Sequence, residues 1–206
     1  MTQVKICGLM GEADVNASSR ADYQGFVVAT GTRRSLSIEA ARHLVTLAER
    51  PSVAVTTSVD AQIVTNMVGK VRPDAVQLNG DVDEDTLRKV RRRVDCEVWV
   101  AVHVGPGMGE RKLRFVGEAD CVVLDTASPQ GGGAGILHDH AVSARLCREV
   151  RPTRCALAGG LTPENVAGAI AVVHPDIVDV SSGVETNGSK DASKIDRLID
   201  TVRKCQ

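Results

Sequence analysis

Short apolar runs, rich in Val and Ala, alternate along the chain with longer segments whose apolar residues recur at helical spacing. The runs are too short for helices, and continuous apolar runs of this kind are typical of strands covered on both faces. Most of them end at a glycine, a proline or a polar turn. We predict strands at Gln3–Cys7, Gly25–Ala29, Ser52–Thr56, Ala75–Leu78, Glu97–Val104, Cys121–Leu124, Cys155–Ala158 and Ile177–Val180.

A segment of helical character follows each predicted strand. The pattern is clearest after Ser37, whose hydroxyl can accept a hydrogen bond from a free N–H group of the first turn. The predicted helices are Glu12–Arg20, Ile38–Glu49, Ala61–Gly69, Glu84–Val94, Glu110–Val116, His140–Val150, one that begins at Pro163 behind the cap Thr162, and Ala192–Lys204.

Eight strand-and-helix units in strict alternation predict a parallel sheet of the α/β class. Eight such units close into a (β/α)8 TIM barrel, here one with short loops that forms a single domain over residues 1–206. An open doubly wound sheet is the alternative, although such sheets usually have fewer strands.

Active sites of such barrels lie at the carboxyl ends of the strands. The sequence places a thiol, a cation, a carboxylate, polar side chains and bare amides there, at Cys7, Arg34, Asn79, Asp125, Gly159, Gly160, Ser182 and Gly183. The loops after the seventh and eighth strands of a barrel commonly hold phosphate. The small residues of these two loops therefore predict a phosphate site at Gly160, Ser182 and Gly183.

The sixth strand carries the strongest local signal. Asp125 follows the buried run Cys121–Leu124, Pro129 prevents a smooth continuation, and Gly131–Gly135 offers exposed backbone N–H groups. This order is typical of a carboxylate presented beside an anion site. A capping aspartate followed by a plain flexible loop is the alternative, since glycine loops are common.

Composition and charge exclude several classes of function. The 43% hydrophobic content suffices for a large core, but only 2% of the residues are aromatic, so Val, Ala, Leu and Ile must build it. The formal net charge of −1 argues against a nucleic acid or an anionic membrane as partner. No apolar run is long enough to span a bilayer, and the N-terminus lacks the apolar core of a signal peptide.

The cysteines and histidines suggest no metal or disulfide chemistry. The six cysteines include no C-x-x-C pair, which predicts free thiols in a reduced, cytoplasmic protein. His43, His103 and His174 lack the spacing of metal ligands, so we expect them to be structural or exposed.

Several stretches resemble the phosphoribosylanthranilate isomerase family of tryptophan biosynthesis. Lys5–Leu9 resembles its opening motif, Ala158–Val166 and Val178–Glu185 resemble its two late motifs, and Lys190-Asp191 follows as in the family. The matches keep the family's order from residue 4 to about residue 194. The resemblance therefore covers nearly the whole chain.

The resemblance implies a set of roles. Cys7 would be the general base, Asp125 the general acid and Arg34 the ligand of the anthranilate carboxylate, with the neighbouring Arg33 facing solvent. Further substrate contacts would come from Asn79, Gly135, Gly160, Asp179, Ser182 and Gly183. The implied reaction is an Amadori rearrangement of a small phosphosugar, which needs one acid and one base but no metal or other cofactor. We expect a monomer or a homodimer.

Three stretches depart from the family's pattern. Asn79 stands where the family has His, Ala134 where it has Thr, and His138 and His140 replace its Phe and Trp. These departures leave two alternatives, a barrel that binds a phosphosugar without this turnover and an enzyme for a related aminoaldose phosphate. A pentose-phosphate epimerase would need metal-binding His and Asp at strand ends, which the sequence lacks.

Overall fold

The computed structural model describes residues 1–105, 116–126 and 139–205. Eight parallel strands form a closed barrel in which each strand pairs with its neighbours in chain order and β8 closes onto β1. The predicted (β/α)8 barrel is therefore confirmed. The strands are β1 Gln3–Cys7, β2 Tyr23–Val27, β3 Ser52–Thr56, β4 Ala75–Leu78, β5 Glu97–Val104, β6 Cys121–Thr126, β7 Arg154–Leu157 and β8 Ile177–Val180.

Helices cover the outside of the barrel. Several begin behind a side chain that accepts a hydrogen bond from the first turn, as Ser37 does from Ala40 and Asp60 does from Gln62 and Ile63. The predicted cap at Ser37 is thus present. The helices are α1 Glu12–Ala17, α2 Ile38–Leu47, α3 Ala61–Val71, α4 Glu84–Arg91, α5 His140–Glu149, α6 Val166–Val173 and α7 Ala192–Lys204.

The apolar residues form two cores because alternate side chains of a strand point to opposite faces. The larger core lies between strands and helices and includes Val4, Ile6 and Leu124. The smaller core fills the barrel itself and includes Val53, Trp99 and Val123. Small and β-branched residues therefore supply most of the packing, as the low aromatic content predicts.

Some predicted bounds are wrong. β6 does not end before Asp125, because Asp125 and Thr126 continue the pairing with His103 and Val104 of β5. β2 begins at Tyr23 rather than Gly25, and β7 begins at Arg154 rather than Cys155.

The helix predicted behind Thr162 begins later than expected. The Thr162 hydroxyl accepts the N–H group of Glu164 within a turn, and α6 starts only at Val166. The helix predicted at Glu110–Val116 lies outside the described residues except for Val116, which opens a short 3-10 turn, Val116–Glu118.

A small hairpin that was not predicted follows β8 and a 3-10 turn. Its strands β9, Glu185–Thr186, and β10, Ser189–Lys190, pair antiparallel above the barrel mouth. The hairpin brings the side chains of Glu185 and Lys190 close to the loop that follows β2.

A polar group closes the amino ends of the strands. We call it the amino-end cluster, and it consists of Gln3, Tyr23, Glu97, Trp99 and Arg154. Arg154 donates to Glu97 at 2.6 Å and to the Tyr23 hydroxyl at 3.1 Å, and the Trp99 indole N–H donates to Glu97 at 2.9 Å. Within the described part of the chain, no helix combines the length and apolarity needed to cross a membrane.

Candidate active site

The carboxyl ends of the strands surround a cavity of about 850 Å³, a volume that includes its opening to solvent. Its lining brings together all but one of the predicted site residues, namely Cys7, Arg34, Asn79, Asp125, Gly160, Asp179, Ser182 and Gly183. The remaining one, Gly135, lies outside the described residues, as do Ala134 and His138. Their individual roles stay predictions.

Cys7 is the last residue of β1 and faces the cavity. Gly25 lies opposite it on β2, where a Cβ atom would come within 3.0 Å of the Cys7 Sγ atom and 3.1 Å of the Lys5 Cε atom. Burial raises the pKa of the Cys7 thiol, and the nearby ammonium groups of Lys5 and Lys190 offset only part of that rise. The thiolate that a base requires is therefore a minor form in the free protein.

Lys5 is a buried charged residue two positions before Cys7 that the sequence pattern did not single out. Its side chain is completely buried, and its Nζ atom donates to Asp179 Oδ2 at 2.6 Å and to Gln77 Oε1 at 2.9 Å. Burial acts to lower the pKa of Lys5, but the charges and hydrogen bonds of Asp179 and Cys7 together outweigh it, and the pKa lies above its usual value. A lysine inside an apolar strand, two positions before Cys7, was the available signal.

Asp125 lies in β6 on the cavity wall. Its Oδ1 atom accepts the N–H group of Thr126 at 2.8 Å. Burial raises the pKa of the Asp125 carboxyl, and the charge of Asp179 raises it further, while His103 and Lys5 act in the opposite direction. A raised pKa is what a carboxyl group needs in order to act as an acid near neutral pH.

Arg34 is held by Glu185 of the hairpin. Its Nε and Nη2 atoms donate to the two carboxylate oxygens of Glu185 at 2.8 and 3.0 Å, a bidentate geometry. Lys190 donates to the same carboxylate at 2.8 Å. Burial acts to raise the pKa of Glu185, but the hydrogen bonds from Arg34 and Lys190 hold it at about 2. Glu185 therefore stays ionised and keeps the guanidinium in place.

Arg33 is exposed, as expected, with 55% of its side chain accessible to solvent. Its Nη2 atom also donates to Glu185 at 2.6 Å and its Nη1 atom to the Gly188 carbonyl at 3.2 Å. The hairpin thus supplies an anion for Arg33 that the sequence pattern did not reveal.

Bare amides line the cavity between β7 and β8. Within the described residues, the N–H groups of Gly160, Ser182 and Gly183 have no hydrogen-bond acceptor. The two loops are in close contact, since a Cβ atom on Gly183 would lie 1.8 Å from the Leu161 carbonyl oxygen. This arrangement can accept an anion with several oxygens, such as a phosphate.

The match to known proteins decides the family. Residues 4–201 match the family model for N-(5'-phosphoribosyl)anthranilate isomerase. The chain belongs to this isomerase family. A relative from Methanothrix thermoacetophila is 41% identical over the full length of both chains, and one from Methanocella arvoryzae is 40% identical over 98% of this chain and 99% of its own.

Solved structures of the isomerase family agree with the barrel. The phosphoribosyl anthranilate isomerase of Thermotoga maritima superposes with a TM-score of 0.88 at 35% identity and covers 99% of this chain and 100% of its own. A phosphoribosyl anthranilate isomerase in complex with reduced 1-(o-carboxyphenylamino)-1-deoxyribulose 5-phosphate superposes with a TM-score of 0.85 at 33% identity, with 99% and 100% covered.

Two of the residues that depart from the isomerase pattern, Asn79 and His140, lie within the described residues. Asn79 lines the cavity, where its Oδ1 atom accepts from Gln77 Nε2 at 3.1 Å, so the amide is oriented by its neighbour. His140 is the first residue of α5, behind the cap Asp139. Among the described residues, no group of three or more His, Cys, Asp or Glu side chains could hold a metal ion.

Proposed function

We propose that the chain isomerises N-(5'-phosphoribosyl)anthranilate to 1-(2-carboxyphenylamino)-1-deoxyribulose 5-phosphate in tryptophan biosynthesis. The observation that carries the proposal is the placement of the Cys7 thiol and the Asp125 carboxyl group in the same cavity, with bare amides and a fixed guanidinium on its walls. An Amadori rearrangement needs these groups and no others.

Asp125 supplies the acid. It donates its proton to the furanose ring oxygen, the bond from that oxygen to the anomeric carbon breaks, and the substrate opens to a Schiff base. The burial of Asp125 and the neighbouring charge of Asp179 support this role because they keep the carboxyl group protonated to higher pH.

Cys7 supplies the base. Its thiolate removes the proton at C2′ of the Schiff base, which yields an enolamine that tautomerises to the ketone. The proton taken by Cys7 balances the one lost by Asp125, and exchange with solvent restores both groups after each turnover.

The two ends of the substrate are held differently. The amides of Gly160, Ser182 and Gly183 bind the phosphate. Arg34 binds the anthranilate carboxylate through its Nη1 side, since Glu185 occupies the Nε and Nη2 atoms and Nη1 has no partner among the described residues. Asn79, Gly135 and Asp179 complete the set of substrate contacts.

The remaining expectations belong to the same proposal. We propose a single-domain enzyme that works in the cytoplasm as a monomer or a homodimer, without a metal or other cofactor. All six cysteines are free thiols, which supports a reducing compartment. The family membership favours isomerisation over the two alternatives, binding without turnover and a related aminoaldose phosphate.

Two experiments test the function. Loss of phosphoribosylanthranilate, followed by its fluorescence, is expected with the wild-type protein and not with a variant that carries both Cys7→Ser and Asp125→Asn. The wild-type gene should also restore growth of a tryptophan auxotroph that lacks this step. Binding of the reduced product analogue without any turnover would contradict the proposal.

A further inference from the structure

The buried ion pair of Lys5 and Asp179 lies inside the barrel, next to the proposed base and acid. Asp179 lines the same cavity as Cys7 and Asp125, and Lys5 lies two positions before Cys7 on β1. Both charges are shielded from water, since the Lys5 side chain is completely buried and the Asp179 side chain is only 6% exposed. Buried ion pairs generally add little to stability compared with apolar residues of the same volume. Retention of the pair at this place is therefore better explained by chemistry than by folding.

We propose that the Lys5–Asp179 pair is a positioning element for catalysis, in which the ammonium stabilises the Cys7 thiolate and the carboxylate keeps Asp125 protonated. The inference rests on the proposed function. It adds Lys5 to the site and gives Asp179 a second role, and in this role both act through the base and the acid rather than on the substrate's reacting atoms.

The geometry at the positive pole supports the first half. Lys5 and Cys7 are two positions apart on β1, so both side chains point into the barrel. The Lys5 Cε atom and the Cys7 Sγ atom both flank the space left open by Gly25. A buried ammonium this close to the sulfur favours the thiolate because little water screens the attraction.

The negative pole has a spare oxygen. Asp179 Oδ2 accepts from Lys5, whereas Asp179 Oδ1 is buried and has no hydrogen-bond partner in the described residues. Of the charges that act on Asp125, that of Asp179 has the largest influence. Because no donor in the described part of the chain neutralises this second oxygen, the negative charge of Asp179 disfavours ionisation of the nearby Asp125. Asp125 therefore retains its proton.

The pair matters because the productive protonation state is a minor one. The pKa of Cys7 lies above its usual value, so the state with a thiolate and a protonated Asp125 is reached against the normal order of acidities. The pair as a whole brings the two acidities closer together, because Lys5 acts more strongly on Cys7 than Asp179 does, and Asp179 acts more strongly on Asp125 than Lys5 does. This enlarges the productive fraction. The other charged groups that act here are Lys190, which faces Cys7 from the hairpin, and His103, which faces Asp125 from β5.

The first experiment measures the ionisation of the Cys7 thiol in the absence of substrate. The rate of Cys7 alkylation by iodoacetamide is measured against pH, with the modified peptide resolved by mass spectrometry so that the other thiols do not contribute. Lys5→Met should raise the pH midpoint by about one unit or more, and Asp179→Asn should lower it. At pH 8, alkylation of Lys5→Met should be roughly tenfold slower than that of the wild type, since the rate follows the thiolate fraction.

A double variant separates the effect of the missing charges from that of a folding defect. Lys5→Met with Asp179→Asn leaves no uncompensated buried charge, and we expect it to fold. Its Cys7 midpoint should still rise, although by less than in Lys5→Met. The matched control replaces the ion pair at the opposite end of the barrel, Arg154→Met with Glu97→Gln, and should leave the midpoint unchanged.

The second experiment follows the ionisation of both Cys7 and Asp125 through the dependence of kcat/KM on pH. The double variant Lys5→Met with Asp179→Asn should give a bell-shaped profile that is lower and also wider, because the acid limb moves down and the alkaline limb moves up. Loss of packing alone lowers the maximum without widening it. A normal Cys7 midpoint together with unchanged limbs would overturn the inference. If the wild-type protein shows no isomerisation, the proposed function fails, while the alkylation result still decides the role of the pair toward Cys7.

Discussion

The two ends of the barrel contain similar charged side chains that differ in their exposure to water. At each end a cation lies over the face of the same indole ring, Lys5 at 6.0 Å and Arg154 at 5.8 Å from the centre of Trp99. Arg154 and its partner Glu97 are 32% and 42% exposed, whereas Lys5 is fully buried. The Arg154–Glu97 pair thus lies near water, and the Lys5–Asp179 pair does not.

Hydrogen bonding differs in the same way. At the amino end, the charged and aromatic polar atoms of the cluster have partners within the cluster. At the carboxyl end, an oxygen of Asp179 and the amides of Gly160 and Gly183 have none among the described residues. Unsatisfied buried groups cost stability, so they persist where a ligand completes them. The comparison separates an end built for stability from an end built for chemistry.

The largest expected effect comes from removing the acid or the base. Cys7→Ser and Asp125→Asn should each lower kcat by about 10²- to 10⁴-fold, the usual range for a positioned proton-transfer group. Steady-state kinetics and the Kd of the reduced product analogue check this, and binding should survive in both variants. Glu97→Gln at the opposite end serves as the control and should leave kcat near the wild-type value. Near-normal turnover in either catalytic variant would show that its role is assigned wrongly.

The next effect concerns the carboxylate end of the substrate. Arg34→Met should weaken binding of the reduced product analogue by about 2–5 kcal/mol, the range for a buried charge pair that loses one partner. Arg34→Lys should weaken it less, since it keeps the charge but loses the bidentate geometry. Calorimetry gives the Kd of each variant.

Arg33 provides the matched comparison for Arg34. Arg33→Met should cost only about 0–1 kcal/mol of binding, because its pair with Glu185 is half-exposed and leaves the grip on Arg34 intact. Equal, small losses at both positions would remove the carboxylate assignment for Arg34.

A smaller effect concerns the close contact of the two amide-bearing loops. Gly183→Ala should raise KM by roughly tenfold, since the added methyl group would collide with the Leu161 carbonyl and shift the phosphate-binding amides. Gly168→Ala in α6 is the control, because nothing lies within 4 Å of its Cβ position, and it should leave KM unchanged. An unchanged KM in Gly183→Ala would place the phosphate elsewhere.

The smallest effect is expected at the amino end. Arg154→Met should change the free energy of unfolding by no more than about 1 kcal/mol, because the pair with Glu97 is partly exposed and screened by water. Denaturant unfolding measures this directly. A loss of activity in the folded variant would erase the difference between the two ends.

The strand pattern predicted most of the fold. Buried runs such as Ser52–Thr56 and Ala75–Leu78 are too short to be interpreted as helices, so their predicted bounds are those observed. The ends of β2 and β6 were less predictable, because Tyr23 and Asp125 join their strands through pairing with distant residues rather than through local preference.

The candidate site was predictable where chain order alone determines position. The alternation of strands and helices brings Cys7, Asn79 and Asp125 to one face of a barrel without any knowledge of side-chain contacts. The partners of Lys5 and Arg34 could not be predicted, since Asp179 and Glu185 are more than 150 residues away in sequence and the hairpin that carries Glu185 has no apolar pattern.

Trp99 gives the molecule a built-in optical reporter. It is the chain's one tryptophan, it is fully buried, and Lys5 and Arg154 lie 6.0 and 5.8 Å from the centre of its ring. Indole emission shifts toward the red as the ring meets water, so the spectrum of this one residue follows the opening of the barrel centre with no added dye. Because a cation of each ion pair lies this near the ring, the same emission band can follow the loosening of the barrel centre when either pair is replaced.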